Sequence, residues 1–394
     1  MRIAFDGSTL RPRRTGVGYY TEHLLRHLAQ EVCDDELIVV SNRPIDTTTP
    51  LPQNVRIVPA RWRTPRMVWM QMLAPHMLRE LQPDVVHFTN GMLPLVSSTP
   101  SIVTIHDMSL TLFPQYHPPR RVMLNRPFVD IAARRADAIV TVSESAKRDI
   151  VRLYGIDGQR VHVVHEAAAP AFRPVTDAAE LARVRHTYGL ADRVILYVGT
   201  IEPRKNLPQL IEAFARRRRS GELTHQLVCV GPYGWLSDDV GAQIERLGIK
   251  DAVTFTGYVP FEDLPSLYSL AELFVFPSVY EGFGLPVVEA MACGTPVITG
   301  RTSSLPEIAG GAIEHVESMD AETLGAAMTA LAGDPERRRH RAILGIERAR
   351  RFSWARAARE TLGVYREVAA RALVRRPAKT AAAAIAGSTQ AGVR

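Results

Sequence analysis

The sequence predicts an α/β fold of two Rossmann-like, doubly wound domains that face a central cleft. The chain has 394 residues, more than one ordinary hydrophobic core takes up, so two domains are expected. Short apolar runs alternate with longer amphipathic stretches, which is typical of a parallel sheet covered by helices on both faces. This alternation occurs twice, before and after an Ala- and Pro-rich stretch at 167–176. We therefore expect a ligand site in the cleft, where the carboxyl ends of both sets of strands meet.

The first half of the chain predicts one complete domain. Its apolar runs of strand length are 3–5, 37–40, 55–58, 85–88, 102–105 and 139–142. Its helical patterns are 15–30, 67–81, 122–135 and 145–154. Because strands and helices alternate, residues 1–170 are expected to form the N-terminal Rossmann-like domain.

The second half predicts a linker, a second domain and a returning helix. Its strand-length runs are 194–198, 227–230, 253–255, 273–276 and 297–299. Its helical patterns are 178–188, 207–219, 239–247, 261–269 and 286–292. We expect a linker with a connecting helix at 171–192 and a C-terminal Rossmann-like domain at 193–352. A helix at 353–374 is expected to pack back on the first domain, and the tail 375–394 has little apolar bulk and is expected to be disordered.

Composition narrows the class of protein. The three cysteines are far apart and form no C-x-x-C pair, so neither a disulfide framework nor a zinc site is expected. The N-terminus does not have the pattern of a signal peptide, and no apolar run approaches the roughly 20 residues that span a bilayer. We expect a cytoplasmic protein, with the inner membrane face as a candidate surface. The net charge of +7 favours phosphates, nucleic acid or an anionic membrane as partners.

The strongest motif is the stretch from Glu281 to Glu289, which follows a predicted strand. Pro286 suits the first position of a helix, and Gly294 suits the position just past its end. Free amides at the start of this two-turn helix, beside two glycines, favour the binding of phosphate or sugar oxygens. Each carboxylate can accept hydrogen bonds from hydroxyl groups, although a single carboxylate is more often a solvated surface group.

A second motif, at 198–206, follows the first strand of the second half and precedes a helix. Gly199 permits close approach of the backbone, and Arg204 and Lys205 place two cations side by side. Adjacent cations repel unless an anion lies between them, and a diphosphate would supply that anion. The alternative is a solvated pair of cations at a loop.

Two further motifs lie in the first half. Gly16 and Gly18 follow the first strand, but Thr21 stands where the dinucleotide fingerprint requires a third glycine, so a nicotinamide site is disfavoured. These glycines either admit a ligand or form a plain turn. His106 and Asp107 end a strand at the expected cleft, where the imidazole contacts substrate or serves as a buried structural group.

Residues 61–73 mix cations with Trp62, Trp69 and several methionines. This pattern indicates nucleic acid, a membrane interface, an acceptor groove, or a core helix with a basic outer face. Of the binding alternatives we favour a membrane or lipid-acceptor surface, and we expect no nucleic-acid partner.

The Glu281–Glu289 stretch resembles the E-x7-E signature of the retaining glycosyltransferases of family 4, which have the glycosyltransferase-B fold. The resemblance extends to about residue 373 and includes Gly257-Tyr258-Val259 and the helix at Trp354. It implies an acceptor site on the first domain and a nucleotide-sugar site on the second. The donor-binding residues it implies are Gly16, Gly18, Gly199, Tyr258, Val259, Phe283, Gly284, Leu285 and Glu289.

The same resemblance implies that His106, Arg204, Lys205 and Glu281 do the catalytic work. Glu281 would lie near the donor sugar's hydroxyls and Glu289 would bind the ribose. The family often has an arginine directly after the glycine, where this chain has Thr200, so Arg204 is a stand-in for it.

The function we expect is transfer of a hexose from a nucleotide sugar onto a glycan or lipid-linked acceptor. The loop and cation motifs resemble those of bacterial mannosyltransferases of surface-polysaccharide assembly, which implies GDP-mannose as the donor. We expect no cofactor and no essential metal, because no Asp-x-Asp motif is present. The alternatives are a nucleotide-sugar epimerase or glycosyl phosphorylase of the same fold, and a non-catalytic nucleotide-sugar-binding protein.

Overall fold

A computed structural model describes residues 1–12, 16–47, 50–59, 64–236 and 239–375. The first domain is an α/β unit built on a parallel sheet. Its strands are β1 (Arg2–Asp6), β2 (Glu36–Ser41), β3 (Val55–Pro59), β4 (Val85–Phe88), β5 (Ser101–Ile105), β6 (Ala138–Thr141) and β7 (Val161–Val163). Its helices are α1 (Gly16–Glu31), α2 (Arg66–Val68), α3 (Ala74–Leu81), α4 (Ser109–Leu112), α5 (Pro119–Arg135) and α6 (Glu144–Tyr154).

The second domain repeats this plan. Its strands are β8 (Val194–Val198), β9 (Gln226–Val230), β10 (Val253–Gly257), β11 (Leu273–Phe276), β12 (Val297–Gly300) and β13 (Glu314–Val316). The helices from the linker onward are α7 (Ala178–Thr187), α8 (Leu207–Arg219), α9 (Asp239–Leu247), α10 (Leu264–Leu270), α11 (Leu285–Ala292), α12 (Leu305–Ala309), α13 (Ala321–Ala332), α14 (Pro335–Ala349) and α15 (Trp354–Arg375).

Both sheets are parallel and doubly wound. The first has the order β3-β2-β1-β4-β5-β6-β7, and the second has the order β10-β9-β8-β11-β12-β13. Strands such as β4, β6 and β11 are buried along their whole length, because helices cover both faces. The expected fold class is confirmed. The sequence analysis missed β7 and β13, which are three-residue edge strands too short to show a periodic pattern.

The helix expected at 67–81 is interrupted. A π-helical turn at Trp69–Leu73 separates α2 from α3, which has Pro75 in its first turn. Proline has no amide hydrogen to donate, so the regular helical hydrogen bonding cannot run through it.

The last helix, α15, lies against α1 and the strands β4, β5 and β6 of the first domain. The Tyr365 hydroxyl lies 2.6 Å from Nδ1 of His87, and both side chains are fully buried. Helix α15 therefore contributes to the core of the first domain. The tail expected to be disordered lies, from residue 376 onward, outside the described residues.

Candidate active site

The site lies where the two sheets change direction. The strand order reverses between β1 and β4 in the first sheet, and between β8 and β11 in the second. Loops at the carboxyl ends of such strands form the ligand crevice of doubly wound sheets. Gly16 and Gly18 follow β1, His106 follows β5, residues 199–205 follow β8, and residues 281–284 follow β11. The two domains thus bring these loops to one cleft.

The two walls of the cleft touch at Gly282. A Cβ atom on Gly282 would lie 1.9 Å from the carbonyl oxygen of His106, so the approach requires glycine. The Ser143 hydroxyl donates to the carbonyl of Gly282 at 2.6 Å. Nearby, the carboxylate of Glu307 accepts from the first two amides of α6 at 2.9 and 3.0 Å. The cleft is therefore held together by direct polar contacts between the domains.

Arg204, Lys205 and Glu281 form one cluster. The same Glu281 oxygen lies 2.5 Å from Lys205 Nζ and 3.3 Å from Arg204 Nη1. Arg204 also donates to Glu202 at 2.7 Å and to the carbonyl of Tyr280 at 2.6 Å. From the sequence, we expected a ligand diphosphate between the two cations. In the structure, the anion between them is the Glu281 carboxylate.

Neighbouring charges and burial compete in this cluster. Burial alone would raise the pKa of Glu281, but Lys205 and Arg204 lower it below its usual value. Burial would lower the pKa of Arg204, but Glu281, Asp107 and Glu202 raise it. Arg204 likewise outweighs burial at Asp107 and lowers the pKa of that carboxyl. Glu281, Arg204 and Asp107 are therefore ionised at neutral pH. Lys205 differs, because burial and the nearby Arg204 lower its pKa more than Glu281 raises it.

The loop before α11 presents free amides. The Ser304 hydroxyl lies 3.0 Å from the carbonyl oxygens of both Glu281 and Phe283 and holds them on one side. Gly284 has a φ of 96°, a left-handed conformation that favours glycine. In the described part of the chain, the amides of Phe283, Gly284 and Leu285 have no hydrogen-bond acceptor. They therefore leave free hydrogen-bond donors at the start of α11, where the sequence predicts an anion site.

Glu289 is a buried acid with an unusual pKa. It lies in the second turn of α11, which begins at Leu285. The Tyr268 hydroxyl donates to its Oε2 at 2.9 Å. Burial raises the pKa of Glu289 to about 7, and the nearby Glu166 adds to that shift. Glu289 thus takes up a proton far more readily than an exposed carboxylate does.

His106 is held on both ring nitrogens. Its Nε2 lies 3.0 Å from the carbonyl of Thr89, and its Nδ1 lies 3.3 Å from a carboxylate oxygen of Glu166. The Tyr20 ring packs edge-on against the imidazole, with ring centroids 4.6 Å apart. Glu166 was not predicted from the sequence, because it lies after β7, near the end of the first domain, outside any recognisable motif.

The other predicted donor residues lie around the same cleft. Gly199 directly follows β8, and its amide donates to the carbonyl of Val230, the last residue of β9, at 2.9 Å. Gly16 is the first residue of α1, and the space beside its Cα is open. Gly18 lies two residues further along the helix and is buried. Tyr258 is 42% exposed at the end of β10. Val259 is 4% exposed with its side chain in the core, which leaves its backbone as the part able to meet a donor.

The basic and aromatic stretch at 61–73 divides between the core and the surface. Trp69 and Met70 are fully buried, which favours the core interpretation for this helix face. Met72 is 71% exposed. Residues 61–63, which include Trp62, lie outside the described residues.

A cavity of about 390 Å³ opens beside His106. Both domains line it: the first supplies Asp107, His117 and Arg121, and the second supplies Glu202, Arg204 and Trp235. Sequence reasoning named His106, Asp107 and Arg204 but not the others. His117, Arg121 and Trp235 belong to separate elements, and no short motif connects them.

The described residues contain neither a metal-holding cluster nor a helix able to cross a membrane. In that part of the chain, no group of three or more His, Cys, Asp or Glu side chains is arranged to hold a metal ion. Likewise, no described helix combines the length and the apolar character that crossing a membrane requires.

Solved structures resemble the fold closely. Sucrose-phosphate synthase from Thermosynechococcus elongatus is 21% identical, with a TM-score of 0.73 over 94% of this chain and 99% of that one. WaaG, a glycosyltransferase involved in lipopolysaccharide biosynthesis, is 17% identical, with a TM-score of 0.72 over 92% of this chain and 99% of that one. The two domains and their cleft therefore define a protein of the glycosyltransferase-B fold.

Sequence comparisons identify the family. Residues 14–172 match the family described as Glycosyltransferase Family 4, and residues 180–347 match Glycosyl transferases group 1. The O-antigen chain mannosyltransferase B of Escherichia coli is 31% identical over 382 residues, which are 93% of this chain and 100% of that protein. The serotype-specific mannosyltransferase WbdA of Escherichia coli is 33% identical over 57% of this chain and 28% of that protein. The chain belongs to glycosyltransferase family 4, as the sequence motifs predict.

Proposed function

We propose that this protein is a retaining mannosyltransferase. It moves mannose from GDP-mannose onto a glycan or lipid-linked acceptor in the synthesis of O-antigen or exopolysaccharide, in the cytoplasm at the inner membrane face. The observation that carries the proposal is the convergence of Arg204, Lys205 and the free amides of 283–285 at the β8/β11 switch point, opposite His106. The likeness to the mannosyltransferases of Escherichia coli supports mannose as the transferred sugar.

The diphosphate of the donor binds between the start of α11 and the two cations. Negative charge grows on its leaving oxygen as the glycosidic bond breaks, so Arg204 and Lys205 stabilise the transition state more than the ground state. The free amides at Phe283, Gly284 and Leu285 add dipoles of the same sign. Glu281, fixed beside Lys205, accepts hydrogen bonds from the donor sugar's hydroxyls, and Glu289 accepts them from the ribose.

The acceptor enters through the cavity beside His106 and Asp107. Its hydroxyl attacks the anomeric carbon from the face that the diphosphate leaves. The departing phosphate takes the proton of that hydroxyl, so no protein nucleophile is assigned. Contact between the two walls at Gly282 excludes water that would otherwise hydrolyse the donor.

A panel of nucleotides tests the donor. The thermal midpoint of the purified protein is measured with GDP, GDP-mannose, UDP and UDP-glucose. A ligand at 100 times its Kd stabilises the folded protein by about 2.7 kcal/mol, so GDP species should raise the midpoint clearly. A preference for UDP species would overturn GDP-mannose as the donor. If no nucleotide raised the midpoint, the transferase site itself would be refuted.

The product tests the stereochemistry. With GDP-mannose and p-nitrophenyl α-mannoside as the acceptor, proton NMR should show a new α-mannosidic linkage. A β linkage would refute retention. Because Arg204 and Lys205 occupy the place where a metal would bind the diphosphate, EDTA should leave the rate unchanged. Loss of activity that Mg²⁺ or Mn²⁺ restores would refute metal independence.

A further inference from the structure

Trp235 connects the two domains at the mouth of the cavity. It lies in the loop after β9 of the second domain, yet its indole Nε1 donates to the carbonyl of Tyr116 in the first domain at 2.7 Å. The Arg121 guanidinium lies over the indole, 4.3 Å from the ring centroid. The His117 ring lies 5.7 Å from it, centroid to centroid. One side chain of the second domain is thus held by three residues of the first.

The loop that carries Trp235 is fixed to the loop that carries Arg204. A Cβ atom on Gly231 would lie 2.2 Å from the Gly199 carbonyl oxygen, and one on Gly234 would lie 2.8 Å from that of Ile201. The amide of Gly234 donates to the Ile201 carbonyl at 2.9 Å. Because both glycines allow this backbone contact, Trp235 keeps a set position relative to the predicted diphosphate-binding loop.

Trp235 also forms part of the cavity wall. Trp235, Arg121 and His117 line the same space as His106, Asp107 and Arg204. The wall would be incomplete if the domains moved apart, because Trp235 and Arg204 come from the second domain and the others from the first. Among the described residues Arg121 has no carboxylate partner, and its guanidinium lies against the indole face.

We propose that Trp235, held by Arg121 and Tyr116, is a positioning and specificity residue that completes the acceptor pocket and shields the donor from water. The pocket takes a hydroxyl-bearing sugar residue, and it forms only when the Trp235 loop reaches the first domain. This proposal rests on the proposed glycosyl transfer.

The test compares Trp235→Ala, Trp235→Phe and Arg121→Ala with the wild-type protein. Three quantities are measured: the KM for p-nitrophenyl α-mannoside, the Kd for the nucleotide sugar that the thermal panel selects, and the rate of donor hydrolysis without acceptor. Trp235→Ala should raise the acceptor KM about tenfold. The reason is that the closed pocket loses the cation–π contact with Arg121 and the hydrogen bond to Tyr116 that hold it together. Its donor Kd should stay within about twofold of wild type, and hydrolysis should rise relative to transfer.

The conservative variant and the control separate positioning from folding. Trp235→Phe keeps a ring under Arg121 but loses the N–H donor, so its KM should lie between those of wild type and Trp235→Ala. Tyr233→Ala is the matched control, because Tyr233 is an aromatic residue of the same loop that stacks on Phe255 outside the cavity. It should leave all three quantities unchanged.

Two outcomes would overturn the proposal. One is a Trp235→Ala variant with unchanged acceptor KM and unchanged hydrolysis. The other is a parallel fall in donor affinity, transfer and thermal midpoint, which would make Trp235 a structural contact alone. Either result leaves glycosyl transfer by the wild-type protein standing, so it is distinct from failure of the proposed function.

Discussion

Replacing Lys205 by methionine separates the catalytic part of the Lys205–Glu281 pair from its structural part. Methionine has a similar length and no charge, so it fills the same space but loses the cation–π contact in which Lys205 Nζ lies 4.9 Å from the centroid of the Phe276 ring. Glu281 then loses the cation 2.5 Å away and keeps Arg204 at 3.3 Å. Both members of the pair are about nine-tenths buried, so solvent cannot compensate the lost charge.

The substitution should change two quantities, the unfolding free energy and kcat. Breaking a buried ion pair costs about 3 to 5 kcal/mol of unfolding free energy, and the remaining Arg204 reduces this to about 2 to 3 kcal/mol. Loss of a group that stabilises the leaving diphosphate lowers kcat about 10² to 10³-fold. The double variant Lys205→Met/Glu281→Gln removes the unpaired buried charge, so it should recover most of the stability and none of the transfer.

Urea unfolding gives the stability of the wild type, both single variants and the double variant. Release of the nucleotide diphosphate in the presence of acceptor gives kcat for the same proteins. The losses of unfolding free energy in the two single variants should not sum to the loss in the double variant, because the two residues share one interaction. Wild-type kcat in Lys205→Met, or transfer restored in the double variant, would refute the diphosphate role of Lys205.

Two further predictions concern Glu289 and Gly282. The folded protein holds a proton on Glu289 between about pH 4.5 and pH 7 that the unfolded chain releases, so unfolding free energy should fall across that window by up to about 3 kcal/mol. Glu289→Gln removes this titration. In urea unfolding, the unfolding free energy of the variant minus that of wild type should therefore be larger at pH 8 than at pH 5. The same difference at both pH values would contradict the burial argument. Gly282→Ala places a methyl group against the His106 carbonyl and should cost about 1 to 3 kcal/mol, abolish transfer and enlarge the radius of gyration in X-ray scattering. Gly311→Ala, with open space around the new methyl group, is its control, and unchanged activity in Gly282→Ala would show that the two walls need not touch.

Strands and helices could be predicted from the sequence, because neighbouring residues carry the signals that form them. The buried strand β11, the proline in the first turn of α11 and the glycine after that helix each follow from neighbouring residues in the sequence. The resemblance of the motif to the family added the expected roles of Glu281 and Glu289, which stay predictions. The structure then showed that Glu281 is already paired with Lys205, a contact between residues 76 positions apart.

The sequence by itself determined two doubly wound domains, the loops that carry the site, and the family to which the chain belongs. These depend on periodicity and on short motifs, which neighbouring residues encode. Tertiary structure alone decided which groups meet: Glu166 with His106, Gly282 with the first domain, and Trp235 with Arg121. Such contacts arise from how two sheets and a returning helix pack together, and no local pattern in the chain records that geometry.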